Sequence, residues 1–251
     1  MPSTWTANRT TRFSCSISAT FHDRPPDHGP HGPSRRKPGQ GTGVQFYRFE
    51  LAVPLFQLGR GKFYGLIGKS GSGKSTLLDL LAMVSQPTQV GSFELRTGEG
   101  AIDLADLLKR GRDAKICEVR LKHFGYILQT GGLFTFFTVR ENLELPFRLS
   151  DRRPDREAIE SIARTYELFD HLDKKPSVLS LGQRQRVSIL RALCLRPDLV
   201  LADEPTASVD ENMADIIVRE FKSIAAEFGT TVLMVSHDTD LVGNLQIMFT
   251  R

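Results

Sequence analysis

The stretch FYGLIGKSGSGKSTLLDLLAM, residues 63–83, governs how the rest of the chain is read. Its first five residues, Phe63 to Ile67, are short and apolar and run into glycine, the pattern of a buried strand. From Lys74 to about Met83 a helix pattern follows. Between them GKSGSGKST, residues 68–76, fits G-x-x-x-x-G-K-[ST], and strand before, helix after is the context that pattern needs. Gly68, Gly71 and Gly73 let the backbone curl into a nest whose N–H groups face phosphate oxygens, with the positive end of the helix dipole adding to the attraction. Lys69, Ser70 and Ser72 supply the rest of that nest. Lys74 is placed to reach β- and γ-phosphates, Ser75 to ligate Mg²⁺, and Thr76 to add a phosphate contact.

A second acidic element, LVLADEPT at 199–206, sets Asp203 and Glu204 at the end of an apolar strand. Alone, an acidic pair there is as readily a helix cap or a surface turn. After a phosphate-binding loop it reads as Asp203 holding Mg²⁺ through water and Glu204 polarising the attacking water as general base. Thr230 to Val235 reads as a further buried strand. Between the two strands Met213, Ile217, Phe221, Ile224 and Phe228 form one helical stripe, with Asp210 suited to the N-cap and Gly229 to the stop. That makes a βαβ unit and points to a mainly parallel sheet. Pro154 to Asp170 carries Ile159, Ile162, Tyr166 and Phe169 on one stripe, which suggests an inserted helical subdomain at about 130–185.

The ends are different in kind. All of the net charge of +4 arises in residues 1–43, where Arg9, Arg12, Arg24, Arg35, Arg36 and Lys37 face only Asp23 and Asp27. This segment is rich in Pro, Gly, Ser and His, so it is expected to be a disordered basic tail, dispensable for folding or acting as a targeting segment, with the working domain at 44–251. The excess charge lies on no periodic face, and no nucleic-acid partner is expected. Cys15, Cys117 and Cys194 have no metal-ligand spacing and fit thiols of a reducing compartment. No apolar run approaches the roughly 18 residues of a spanning helix, so any membrane role requires a partner.

LSLGQRQRVSILRAL, residues 179–193, resembles the signature of ABC ATPases, LSGGQ followed by a helix, and it precedes the acidic pair at that family's distance. Further along the same resemblance, Gln129 in GYILQTGGLFTFFTVRENL looks like the Q-loop glutamine, Ala207 to Asp210 like the D-loop, and His237 like the switch histidine. The chain therefore resembles the ATP-binding subunit of an ABC transporter, and the lipoprotein-releasing, macrolide-efflux and cell-division group in particular. The resemblance implies a P-loop NTPase (RecA-like) α/β fold: a parallel sheet core, an antiparallel β portion and an inserted helical subdomain. It implies ATP and Mg²⁺ as cofactors, with Gln129 sensing the metal and His237 contacting the γ-phosphate. Ser180, Gly182 and Gln183 are then expected to meet ATP held by a second copy, in a head-to-tail homodimer or a pair with a paralogous ATPase. A transmembrane permease subunit is the implied partner, its coupling helix received near Leu133, Phe134, Phe136 and Phe137, at the cytoplasmic face.

Three features depart from the family pattern. Leu181 stands where glycine is commonest, Phe46 and Tyr47 are candidates for stacking on adenine but not at the family's spacing, and fourteen residues follow His237, which predicts a shortened sheet edge. Leu181 and the short end also admit a subunit of low turnover, and a role in force or signal transmission without transport stays open. A chromosome or DNA-repair ATPase is set aside, because Lys74 and Leu179 are only 105 positions apart and no sustained heptads lie between them.

Overall fold

The computed structural model describes residues 12–22, 48–69, 71–129, 131–207, 209, 211–236 and 246–248. Among these the strands are β1 (Arg12–His22), β2 (Arg48–Gly59), β3 (Phe63–Ile67), β4 (Gln89–Thr97), β5 (Gly100–Asp103), β6 (Phe124–Ile127), β7 (Leu199–Asp203), β8 (Thr231–Ser236) and β9 (Gln246–Met248). The helices are α1 (Lys74–Leu81), α2 (Leu104–Lys109), α3 (Asp113–His123), α4 (Val139–Leu149), α5 (Arg156–Thr165), α6 (Leu181–Leu193) and α7 (Glu211–Phe228).

A parallel sheet in the order β6-β7-β8-β3-β9 forms the core, and an antiparallel sheet in the order β2-β1-β4-β5 accompanies it. Residues alternate between the faces of a strand, so a sheet covered on both sides needs strands that are apolar throughout. Both β3 and β8 are buried at every position. Leu199, Leu201, Leu233 and Val235 face a cluster shared with α1 and the antiparallel sheet. Val200, Ala202, Val232 and Met234 face Ile189 of α6 and Ile217 and Phe221 of α7. Helix α7 thus uses its apolar stripe as the spacing predicts, and Gly229 ends it with φ 65°. Its expected N-cap, Asp210, lies outside the described residues.

Two expectations are corrected. The basic tail of residues 1–43 is not disordered throughout, because Arg12–His22 is an interior strand of the antiparallel sheet, paired to β2 on one side and β4 on the other. Phe13 and Cys15 are buried, and Phe13 packs edge-on against Phe93 with ring centroids 5.3 Å apart. Burial pushes the Cys15 thiol up to about 12, so it acts as a core side chain. The helical stretch Pro154–Asp170 is also shorter than its stripe. Asp155 caps α5 by accepting from Ala158 N–H at 3.0 Å. The helix ends where Glu167 turns left-handed, φ 56°, and Leu168 N–H bonds back to Ala163 O at 2.7 Å. Phe169 keeps its place on the stripe from a separate 3-10 turn, Phe169–His171.

Helices α4, α5 and α6 share a third cluster, in which Val139, Leu143, Ile159, Ala163, Val187 and Leu190 are buried. At the far end of the chain, β9 lies parallel to β3 at the sheet edge, pairing Gln246–Met248 with Gly65–Ile67.

One close approach fixes α6 on the sheet. A Cβ added at Gly125 of β6 would stand 2.6 Å from the backbone oxygen of Ala192, which cannot swing aside as a flexible side chain does. Gly125→Ala is therefore expected to destabilise the protein by about 1–3 kcal/mol, lowering the melting temperature by roughly 2–4 °C for each kcal/mol. Thermal unfolding followed by circular dichroism checks this, and an unchanged midpoint contradicts it.

Candidate functional site

The glycine-rich loop is delivered by a fully buried strand and taken up by α1, so both of its ends are rigid. Gly71 and Gly73 have φ 74° and 96°, the left-handed conformation that only glycine adopts without strain. Among the described residues the space beside Gly71 is open, with nothing within 4 Å of an added Cβ. The first turn of α1 holds no acidic residue, which leaves the positive end of its dipole uncompensated by any carboxylate of that turn. Lys74 is buried, and its Nζ donates to Gly68 O at 2.9 Å and Lys69 O at 3.1 Å. Among the described residues the Ser72 hydroxyl oxygen is buried without a hydrogen-bond partner, a polar atom in want of a ligand. Thr76 is half-buried on the first turn, and Ser70 lies outside the described residues.

The acidic strand end meets this loop. Ser75 Oγ donates to Asp203 Oδ1 at 3.1 Å, and Lys74 Nζ stands 4.0 Å from Glu204 Oε1. Burial holds the Asp203 carboxyl above the usual carboxylate range, and the charges of Glu204 and Asp79 add to that, while the Ser75 hydroxyl and Lys74 oppose it. Glu204 follows β7 with φ 42°, a left-handed backbone rare outside glycine. Strain of that kind persists where surrounding structure enforces it, often at functional sites. Tyr126 of β6 donates its hydroxyl to Asp79 Oδ1 of α1 at 2.8 Å, and burial raises its pKa above the ordinary tyrosine value. Neither Tyr126 nor Asp79 carries a sequence signal, since the pair forms only when β6 and α1 are assembled.

Gln129 follows β6 and is exposed, with its neighbour Thr130 outside the described residues. It lines a cavity of about 350 Å³ together with Leu181, Arg184, Gln185, Pro205 and Val209, so the loop after β6, the start of α6 and the turn after β7 converge. The two glycines after Thr130 are clamped by α6. Ser188 Oγ donates to Gly131 O at 2.7 Å, and Arg191 Nη1 to Gly132 O at 2.7 Å. Burial lowers the Arg191 pKa from its ordinary value.

Ser180 is the N-cap of α6. Its Oγ accepts from Gln183 N–H at 3.2 Å, and Gln183 Oε1 accepts from Ser180 N–H at 2.9 Å, a reciprocal capping box. Leu181 is 42% exposed, its side chain on the surface rather than in the core. Gly182 lies against Met213 of α7, where a Cβ would stand 2.9 Å from the flexible Met213 Cε.

Phe134, Phe136 and Phe137 form a three-ring cluster with centroids 4.6–5.7 Å apart, in which Phe134 and Phe136 are 42% and 65% exposed. The fully buried Asn142 pins their loop, accepting from Phe134 N–H at 2.9 Å and donating to Phe134 O at 3.0 Å. His237, Ser208, Phe46 and Tyr47 lie outside the described residues.

A phosphate-shaped glycine loop, a buried lysine and an acidic strand end on a parallel sheet define a P-loop nucleoside triphosphatase. The chain belongs to the ABC transporter family, whose family model matches residues 53–207. It is 34% identical over 202 residues to the lipoprotein-releasing system ATP-binding protein LolD of Buchnera aphidicola, covering 77% of this chain and 82% of that protein. It is 37% identical over 185 residues to the macrolide export ATP-binding/permease protein MacB of Rhodopirellula baltica, covering 72% of this chain and 26% of that longer protein. The fold is similar to the ATP-binding cassette MJ0796, solved as a post-hydrolysis dimer bound to ADP and Pi. The TM-score is 0.69 and the identity 26%, over 95% of this chain and 94% of that one. The chain is accordingly a nucleotide-binding, ATP-hydrolysing subunit of the ABC transporter family. No helix among the described residues is long and apolar enough to cross a membrane.

Proposed function

We propose that each ATP is held by the P-loop of one chain and closed over by the start of α6 of a second copy. The backbone of Gly68 to Gly73, the Lys74 ammonium and the Thr76 hydroxyl bind the phosphates, and the Ser72 hydroxyl gains the partner it lacks. Ser75 and Asp203 fit Mg²⁺: both offer hard oxygen donors, and a nearby cation would favour the ionised form that burial opposes at Asp203. Among the described residues no group of three or more His, Cys, Asp or Glu could hold a metal by itself, so the nucleotide phosphates would complete the coordination. When bound, Mg²⁺ supplies neutralisation of phosphate charge.

Glu204 accepts a proton from the attacking water as its oxygen bonds to the γ-phosphorus. The bond from phosphorus to the β,γ-bridging oxygen breaks, and ADP and phosphate leave. Gln129 reports the occupied site to the loop it begins, and His237 is assigned to the γ-phosphate by resemblance alone. Ser180, Gly182 and Gln183 approach the same phosphate from the second copy. The exposed Phe134 and Phe136 receive the transmembrane subunit, which puts the chain at the cytoplasmic face of a membrane. The relatives act in lipoprotein release and macrolide export, and a permease of that group is the proposed partner.

The meeting of Lys74 and Ser75 with Glu204 and Asp203 carries this reading. Glu204→Gln is expected to keep ATP binding while slowing turnover by about 10²–10⁴, the usual contribution of a general base. Phosphate release and nucleotide titration measured together check it. Turnover at the wild-type rate excludes Glu204 as the base.

A further inference from the structure

We propose that His171 is a positioning residue for the start of α6, holding the Gln183 side chain so that Ser180 and Gly182 present a fixed edge to nucleotide on the second copy. The proposal rests on the reading of Ser180, Gly182 and Gln183 given above.

The capping box decides which way the Gln183 carboxamide points. Ser180 N–H needs an acceptor and finds Gln183 Oε1 at 2.9 Å, so the amide nitrogen faces the other way. There it lies 2.9 Å from His171 Nε2. An amide nitrogen only donates, so Nε2 accepts and the proton of the neutral ring sits on Nδ1. Lys174 Nζ lies 3.1 Å from Nδ1 and is also only a donor. A neutral imidazole accepts at one nitrogen, so the two donors compete. Lys174 is exposed and has water as an alternative, whereas the Gln183 contact is part-buried, which favours the tautomer that braces Gln183.

The brace has a firm base. His171 closes the 3-10 turn Phe169–His171, its N–H donating to Leu168 O at 3.0 Å, and both Leu168 and Leu172 are buried in the cluster beneath α4, α5 and α6. Arg140 N–H of α4 donates to Leu172 O at 2.7 Å, tying the same segment to a second helix. His171 therefore links a fixed turn to the one flexible side chain that completes the capping box.

The full chain carrying Glu204→Gln serves as parent, and the MgATP concentration giving half-maximal dimer is compared with MgADP affinity. His171→Leu removes the acceptor and is expected to raise the half-maximal MgATP concentration by about tenfold, the loss of one hydrogen bond, with MgADP affinity unchanged. His171→Gln restores an acceptor and is expected to return the value close to the parent's. The proposal is overturned if His171→Leu matches the parent, if His171→Gln is as poor as His171→Leu, or if MgADP affinity falls in step with dimer formation. Ser180→Ala separates the two levels. If it also matches the parent, the start of α6 does not meet the nucleotide; if it weakens dimer formation while His171→Leu does not, only the brace fails.

Discussion

Truncation of the chain to begin at residue 23 is expected to leave protein that does not reach its native fold. The deletion removes β1, an interior strand whose loss strips β2 and β4 of hydrogen-bonded partners along its length. It also removes Phe13, 3% exposed, whose ring meets both Phe93 of the antiparallel sheet and Phe124 of the parallel one. Losing a buried phenylalanine side chain alone costs about 3–5 kcal/mol, against a total stability on the order of 5–15 kcal/mol. Soluble yield, the melting transition and near-ultraviolet circular dichroism of truncated and full-length chains measure the effect. A truncated protein that melts cooperatively at the full-length temperature would contradict the place of β1 as an interior strand with Phe13 in the core.

Lys74→Ala is expected to lower nucleotide affinity by at least about 10²-fold, since two charge-assisted hydrogen bonds at ~1.5–3 kcal/mol each would be lost and each ~1.4 kcal/mol is tenfold. Hydrolysis should fall with it. The Lys74 ammonium bonds the carbonyls of Gly68 and Lys69, which hold it over the loop it would serve. Only 5% of Lys74 is exposed, so its ammonium acts from within the loop rather than from solvent. Titration with a fluorescent ATP analogue, with circular dichroism to show that the variant is folded, gives the measurement. Affinity within twofold of wild type would remove Lys74 from the phosphate site.

The parallel core was legible because its signals are local. Apolar runs bounded by glycine or acid mark β3, β7 and β8, and the stripe of Met213, Ile217, Phe221 and Phe228 marks α7. The first strand shows how a real signal is lost by averaging. Phe13, Cys15, Ile17, Ala19 and Phe21 alternate with mostly polar residues, yet Pro25 to Pro38 immediately downstream dominate the composition of the whole segment. A bulge between Cys15 and Ile17 further breaks the pairing that alternation would imply. At the site, Lys74, Ser75, Asp203 and Glu204 are legible as a loop and a strand end. Tyr126 with Asp79, Arg191 with Gly132, and His171 with Gln183 are not, since each pair joins residues of different elements through contacts that only packing creates.

The most direct test is the mass of the Glu204→Gln chain with and without MgATP, by sedimentation velocity with bound nucleotide counted. The account predicts a monomer without nucleotide and, at saturating MgATP, a dimer holding two ATP, which reverts to monomer when Lys74→Ala is added to the same chain. A chain that binds MgATP stoichiometrically and stays monomeric across the accessible concentration range would contradict a site shared between two copies.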